Sequence, residues 1–158
     1  MNEEAFDARV REMEGRLYRT ARSLLPSDED CADAIQNAVF IAWQKRHTLK
    51  DESRFAPWLT RILINCCRDI RRAYRQRKAE IRLDGLPLPA PGHEHDLDLE
   101  RALLRLPEKW RLPVVLHYMD GLTVQEAARV LRLPATTVKG RIHQGLQRLR
   151  ALLEEEKA

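Results

Sequence analysis

The sequence predicts an all-α protein of two small helical domains joined by a flexible, Pro-rich linker. Three observations predict it. Apolar residues recur at three- and four-residue steps through most of the chain, the period of one helix face. No stretch alternates apolar and polar residues strongly enough to read as a strand. Residues 83–98 contain Gly85, Pro87, Pro89, Pro91 and Gly92, a composition that resists regular structure. The domains are therefore expected at 1–82 and 99–158.

Asn2 can cap a first helix running to about Leu25, with Phe6, Val10, Met13, Leu17, Ala21 and Leu24 on its apolar side. Pro26 stops it. Ser27 and Asp30 open a second helix in capping-box form, and Asp28, Glu29 and Asp30 favour its positive N-terminal end. That helix carries Ala34, Ile35, Ala38, Val39, Ala42 and Trp43, with Asp33, Gln36, Asn37, Gln44, Lys45 and Arg46 on its other side. A polar loop, His47 to Arg54, follows. Pro57 fits the first turn of a third helix with Trp58, Leu59, Ile62, Leu63, Cys66 and Ile70 as its apolar face. Its back half is basic: from Arg68 to Lys78 there are six basic residues and one acid.

Beyond the linker, helical pattern resumes near Leu97 and runs through Leu103, Leu104 and Leu106. Pro107 opens another helix with Trp110, Val114, Val115 and Tyr118, which Pro113 should kink or divest of its first turn. Gly121 ends it. Thr123 caps the next helix, with Glu126 completing a capping box and Ala127, Ala128 and Leu131 as a narrow apolar stripe. Leu133 and Pro134 turn the chain into a last helix that buries Val138, Ile142, Leu146 and Leu149. Its other face shows Thr136, Thr137, Lys139, Arg141, His143, Gln144 and Gln147, and from Thr136 to Arg150 there are four Lys/Arg and no Asp or Glu. This is the sequence form of a helix-turn-helix whose second helix enters a major groove. Helical bundles with a basic outer face and no nucleic-acid partner share much of the pattern.

The net charge of +4 is small; its distribution matters more. Two separated basic stretches suit an elongated polyanion better than a small acidic substrate. Cys31, Cys66 and Cys67 form neither a disulfide framework nor a metal-type CxxC pair, and read as small apolar filler. No signal peptide opens the sequence, and no apolar run reaches the roughly 18 residues of a membrane span. A cytoplasmic, reduced protein is expected.

With both halves in view, the chain resembles a sigma-70 family factor of the small, extracytoplasmic-function (ECF) group, which keeps only the modules called region 2 and region 4. In the first half the matching residues are Asp30, Asp33, Gln36, Phe40, Ala42 and Trp43, then Phe55, Trp58, Leu59, Ile62, Asn65, Asp69 and Arg72. In the second they are Leu106-Pro107, Arg111, Gly121-Leu122-Thr123, Glu126-Ala127-Ala128, Leu133-Pro134, Thr137-Val138-Lys139 and Arg141. Both modules in this order, around a Pro-rich linker, make the resemblance specific.

The resemblance implies roles. Region 2 grips the clamp coiled coil of the largest subunit of core RNA polymerase, and Asp33, Gln36, Asn37 and Phe40 lie at the matching positions; a buried Phe40 among solvated neighbours is the alternative. The third helix and the loop before it hold the downstream promoter element as melted single strand, through Lys50, Arg54, Phe55, Asn65, Arg68, Asp69, Arg72 and Arg75. Unstacked bases need pockets and polar edges, while cations track the backbone. Lys50 to Arg54 is the implied base-selecting loop. An i,i+3 ion pair is the plainer account of Asp69 and Arg72. Trp58 reads as core rather than a stacking surface.

Region 4 is implied to contact the polymerase flap and read the duplex upstream element. His117, Val124, Gln125, Lys139, Arg141, His143 and Gln144 face DNA, with Thr136 and Thr137 near phosphates. Two residues depart from the family pattern. Gly140 stands where Ser is usual, costing about 1 kcal/mol of helix stability relative to Ala. Gln144 stands where Arg is usual, exchanging a guanine contact for one suited to adenine. The implied partners are core RNA polymerase, promoter DNA and an anti-sigma factor that covers the polymerase-binding face; no membrane, cofactor or metal is implied.

A stand-alone helix-turn-helix regulator accounts for the last third but leaves the first 80 residues unexplained. An enzyme is disfavoured: there is no Gly-rich phosphate loop, nucleophile elbow or HExxH. Asp28, Glu29, Asp30 and Asp33 have no partner ligands spaced with them, and helix N-terminal charge explains the first three; His93-Glu94-His95-Asp96 reads as ordinary linker polarity.

Overall fold

A computed structural model of the chain describes residues 1–80 and 97–157. Every regular element among the described residues is a helix, with no strand among them. The chain divides into two compact units, Met1–Leu88 and Pro89–Ala158. Residues 83–96 of the expected linker, His93 to Asp96 included, lie outside the described residues.

The first unit begins with α1 (Glu3–Glu12) and α2 (Glu14–Arg22). Asn2 caps α1 as its chemistry demands, its Oδ1 accepting the Ala5 N–H at 2.9 Å. The single helix expected to run to Leu25 is instead broken at Met13, whose φ of −97° and ψ of 0° lie outside the helical well. Its N–H turns to the Val10 carbonyl three residues back, and Gly15, a poor helix former, follows at once. The second segment also stops early, because Leu24 and Leu25 both donate to the Ala21 carbonyl in a closing turn.

Helix α3 (Asp28–Lys45) starts where Ser27 Oγ accepts the Asp30 N–H at 3.1 Å. The loop before it is tied down by Arg22, which is 4% exposed and donates to the Pro26 carbonyl at 2.7 Å. Asp28 accepts from Tyr18 at 2.8 Å. Burial, reinforced by that bond, pushes the Tyr18 phenol up to about 12.

The expected polar loop after α3 is more ordered than its composition implies. It contains two 3-10 turns, Arg46–Thr48 and Glu52–Arg54. It leads into α4 (Phe55–Glu80), which packs chiefly on α3. Leu59, Leu63, Ile64 and Cys67 are fully buried along α4, and Cys31, Ala34, Ala38 and Ala42 face them from α3. Small residues on α3 let the two helices approach closely.

The second unit holds α5 (Leu97–Arg105), α6 (Glu108–Val114), a widened π turn (Val115–Met119), α7 (Val124–Leu131) and α8 (Ala135–Lys157). Pro113 does not split off a first turn; it stands one residue before the end of α6, and the helix widens just beyond it. Asp120 N–H reaches back five residues to the Val115 carbonyl, and Leu122 N–H six residues to that of Leu116. The extra residue shifts the register. Tyr118, expected on the apolar face, is 59% exposed, and Met119 packs in its place against Ala102, Leu103, Leu106, Val114, Val115 and Leu149. Gly121, at φ +77°, closes the turn in a conformation that favours glycine.

Both arms of the capping box on α7 form: Thr123 Oγ1 accepts from Glu126 N–H at 3.0 Å, and Glu126 Oε1 from Thr123 N–H at 2.9 Å. Arg132, left-handed at φ 56°, ends the helix, and Leu133 N–H returns to the Ala128 carbonyl at 3.0 Å. Val138 N–H bonds to the Pro134 carbonyl, so Pro134 sits just ahead of α8, at the turn into it.

Candidate nucleic-acid interface

In the first unit α3 divides its residues cleanly. Cys31, Ala34, Ala38 and Ala42 are buried, while Asp33, Gln36, Asn37 and Phe40 are exposed. The exposed four stand at i, i+3, i+4 and i+7 and so form one stripe along the opposite side of the helix. Phe40 is 61% exposed, which excludes the buried alternative. Its ring stands at the C-terminal end of the polar stripe, an exposed aromatic of the kind that anchors interfaces.

On α4, Asn65, Asp69, Arg72 and Arg75 are exposed on a second face, with Arg68 half-buried beside them. Arg72 Nη1 lies 3.7 Å from Asp69 Oδ1, both side chains more than 70% exposed, so the i,i+3 ion pair exists. Such a pair stabilises by only a few tenths of a kcal/mol and leaves both groups accessible to another partner.

Lys50 and Arg54 are exposed on the loop ahead of α4. Asp51 shapes that loop: its Oδ1 accepts from the Ser53 N–H at 3.0 Å and the Ser53 hydroxyl at 2.6 Å, which holds its carboxyl below the usual range. Phe55 is the exception among the first-unit candidates. It is 3% exposed, packed edge-on against Phe6 at 5.8 Å and tilted against Trp58 at 5.9 Å, and cannot face a ligand. The partner that buries it lies 49 positions away in sequence, beyond the reach of local pattern.

In the second unit Gln125, Thr136, Lys139, His143 and Gln144 are exposed, and Val124, Thr137 and Arg141 half-buried. These residues come from α7 and the N-terminal half of α8, the two arms of the helix-turn-helix. A Cβ at Gly140 meets nothing within 4 Å, so the surface there is open. Gln147 Nε2 lies 3.2 Å from His143 Nε2, the amide donating, which ties the ring along the helix. His117 is half-buried, and its Nδ1 donates to the Leu122 carbonyl at 2.7 Å. It therefore braces the turn into α7 and leaves only Nε2 facing outward.

Burial pushes the thiols of Cys31 and Cys67 up to about 12 and that of Cys66 in the same direction, as suits inert apolar filler. Among the described residues no cluster of His, Cys, Asp and Glu could hold a metal ion, and no helix is long and apolar enough to cross a membrane.

Comparisons with known proteins match both halves of the chain. The family described as Sigma-70 region 2 matches residues 9–78, and that described as Sigma-70, region 4 matches residues 96–149. The ECF RNA polymerase sigma factor SigM of Mycobacterium tuberculosis is 34% identical over 94% of this chain and 77% of its own length. The RNA polymerase sigma-E factor of Streptomyces coelicolor is 31% identical over 92% of this chain and 84% of its own. Among solved structures, the sigma factor RpoE in complex with the anti-sigma factor NepR from Bartonella quintana has a TM-score of 0.78 and 24% identity, covering 96% of this chain and 98% of that one, a likeness of fold. CnrH, in complex with the cytosolic domain of CnrY, has a TM-score of 0.72 and 29% identity, covering 98% and 90%. Two modules in order, across nearly the whole length, place this chain in the sigma-70 family, among the ECF RNA polymerase sigma factors.

Proposed function

We propose that the chain binds core RNA polymerase and directs promoter-specific initiation. The first domain, residues 1–82, docks on the clamp coiled coil of the largest subunit through Asp33, Gln36, Asn37 and Phe40. Its α4 face, with Asn65, Asp69, Arg72, Arg68 and Arg75, captures the melted downstream element, and the Lys50–Arg54 loop selects a base. The second domain, residues 99–158, reads the upstream element as duplex through Gln125, Lys139, Arg141, His143 and Gln144, with Thr136 and Thr137 on phosphates and the polymerase flap alongside. Phosphodiester chemistry belongs to the polymerase, in the cytoplasm where it works. An anti-sigma factor silences the chain by covering the α3 stripe, a partner class supported by the RpoE–NepR complex.

The observation that carries this reading is the exposed ring of Phe40 within a polar helical stripe. Interfaces concentrate their energy in such aromatic anchors. Phe40→Ala should weaken binding to core polymerase roughly tenfold, while thermal stability changes little because the ring is mostly exposed. Core affinity measured by fluorescence anisotropy tests this; unchanged affinity would contradict the docking face.

A further inference from the structure

We infer that α1 is a brace that sets the conformation, and so the base preference, of the Lys50–Arg54 loop, with Arg9 and Phe6 as positioning residues. This rests on the reading of that loop as base-selecting.

The observations are geometric. Phe6 packs edge-on against Trp43, near the end of α3, with ring centroids 5.2 Å apart. It also meets Phe55, the first residue of α4, at 5.8 Å and 88°. One side chain of α1 thus fastens both stems of the intervening segment. Arg9, one helical turn further on, reaches the segment itself: its Nη1 donates to the Glu52 carbonyl at 2.6 Å, and its Nη2 lies 3.6 Å from Glu52 Oε2. The same guanidinium lies over the Phe55 ring, 5.7 Å from its centroid.

Of these contacts the bond to the Glu52 carbonyl matters most. It is short and charge-assisted, and it fixes backbone rather than a mobile side chain. The ion pair to Glu52 is exposed on both sides and contributes little. The loop's own bonds are local: Asp51 closes its turn over Ser53, Arg54 N–H returns to the Asp51 carbonyl, and the 3-10 turn runs on into α4. Arg9 adds the tie to α1, from 43 residues away. A base-selecting loop discriminates only if its polar groups are held in place before the base arrives. Phe6 precedes the residues matched by the region 2 family, which begin at residue 9, so the brace extends beyond that module.

The test uses the full-length chain with core polymerase on a template library randomised across the downstream element, with transcripts counted by sequencing. Arg9→Met keeps the aliphatic stem over Phe55 and removes the donors. It should flatten discrimination at the loop-read base about fivefold, the scale of one lost hydrogen bond. Arg9→Lys, which restores a donor, should recover part of it. Met13→Ala, which opens a hole elsewhere beneath the same helix, should lower the melting temperature without changing the preference. An unchanged preference in Arg9→Met, alongside a changed one in Lys50→Ala with Arg54→Ala, overturns the brace alone. Equal flattening by Met13→Ala overturns it too, since general loosening would then suffice. No response to the Lys50 and Arg54 changes overturns the base-selecting role of the loop, and the brace with it.

Discussion

Gly145 of α8 crosses α6 so closely at Trp110 that a Cβ there would stand 3.1 Å from the Trp110 carbonyl oxygen and 3.3 Å from its Cβ. It would also stand 2.7 Å from Val114 Cγ2. Only a glycine lets the two helices meet at this distance. The crossing sets the angle at which α8 presents its outer face, and Arg148 and Lys109 lie against the Trp110 ring, each 4.9 Å from its centroid.

Gly145→Ala should therefore destabilise the second unit. Overpacking against backbone and a stiff valine costs about 1–3 kcal/mol, offset by up to ~1 kcal/mol of helix propensity. The expected net loss is about 1–2 kcal/mol, read by urea unfolding, together with weaker upstream-element binding. Unchanged or increased stability would show that the helices separate freely.

The buried thiols make a second prediction. Burial raises Cys31 and Cys67 from an ordinary 9.0 to about 12, so both are neutral in the folded chain at neutral pH. Folded values above unfolded ones mean that their contribution to stability is complete below about pH 9. It declines as the unfolded thiols ionise, through to about pH 12. In native protein at pH 7.5, roughly neutral conditions, neither thiol should react with iodoacetamide, whereas both should in urea. Rapid labelling of the native chain would argue for a reactive role.

Gln144 carries a third. It is exposed on α8 with Gly140 leaving open surface one turn earlier, so an incoming base edge can reach it. Gln144→Arg should move preference at one upstream position from adenine toward guanine, by about 1–3 kcal/mol of discrimination. Selection from a randomised duplex measures it, and an unaltered preference would remove Gln144 from the reading set.

What the sequence makes legible here is local chemistry. Asn2, Ser27 and Thr123 cap because a short polar side chain ahead of a helix has donors within reach whatever the rest of the chain does. Helical period puts Asp33, Gln36 and Asn37 on one side of α3, whereas Phe40 joins them only through the family resemblance, since a Phe fits a core as readily as a surface. What escapes is set by distant packing. Phe55 matches a family position for DNA contact, yet Phe6 encloses it. Tyr118 fits the apolar period until the π turn moves the register by one. Gly145 had a signal: with Val138, Ile142 and Leu149 it stands at steps of four, three and four, where a residue without a side chain marks a close crossing. Arg9 had none, because its partner is a backbone carbonyl in a loop.

The most direct test is run-off transcription with purified core polymerase on a library of promoters from the source genome, with and without the chain. Specific initiation should depend on the chain, fall tenfold or more with Asn65→Ala, and fall likewise when Asp33 and Gln36 are both changed to Ala. Absence of transcript and of core binding, with tight binding of the free chain to duplex DNA, would contradict the account and point to a stand-alone helix-turn-helix regulator.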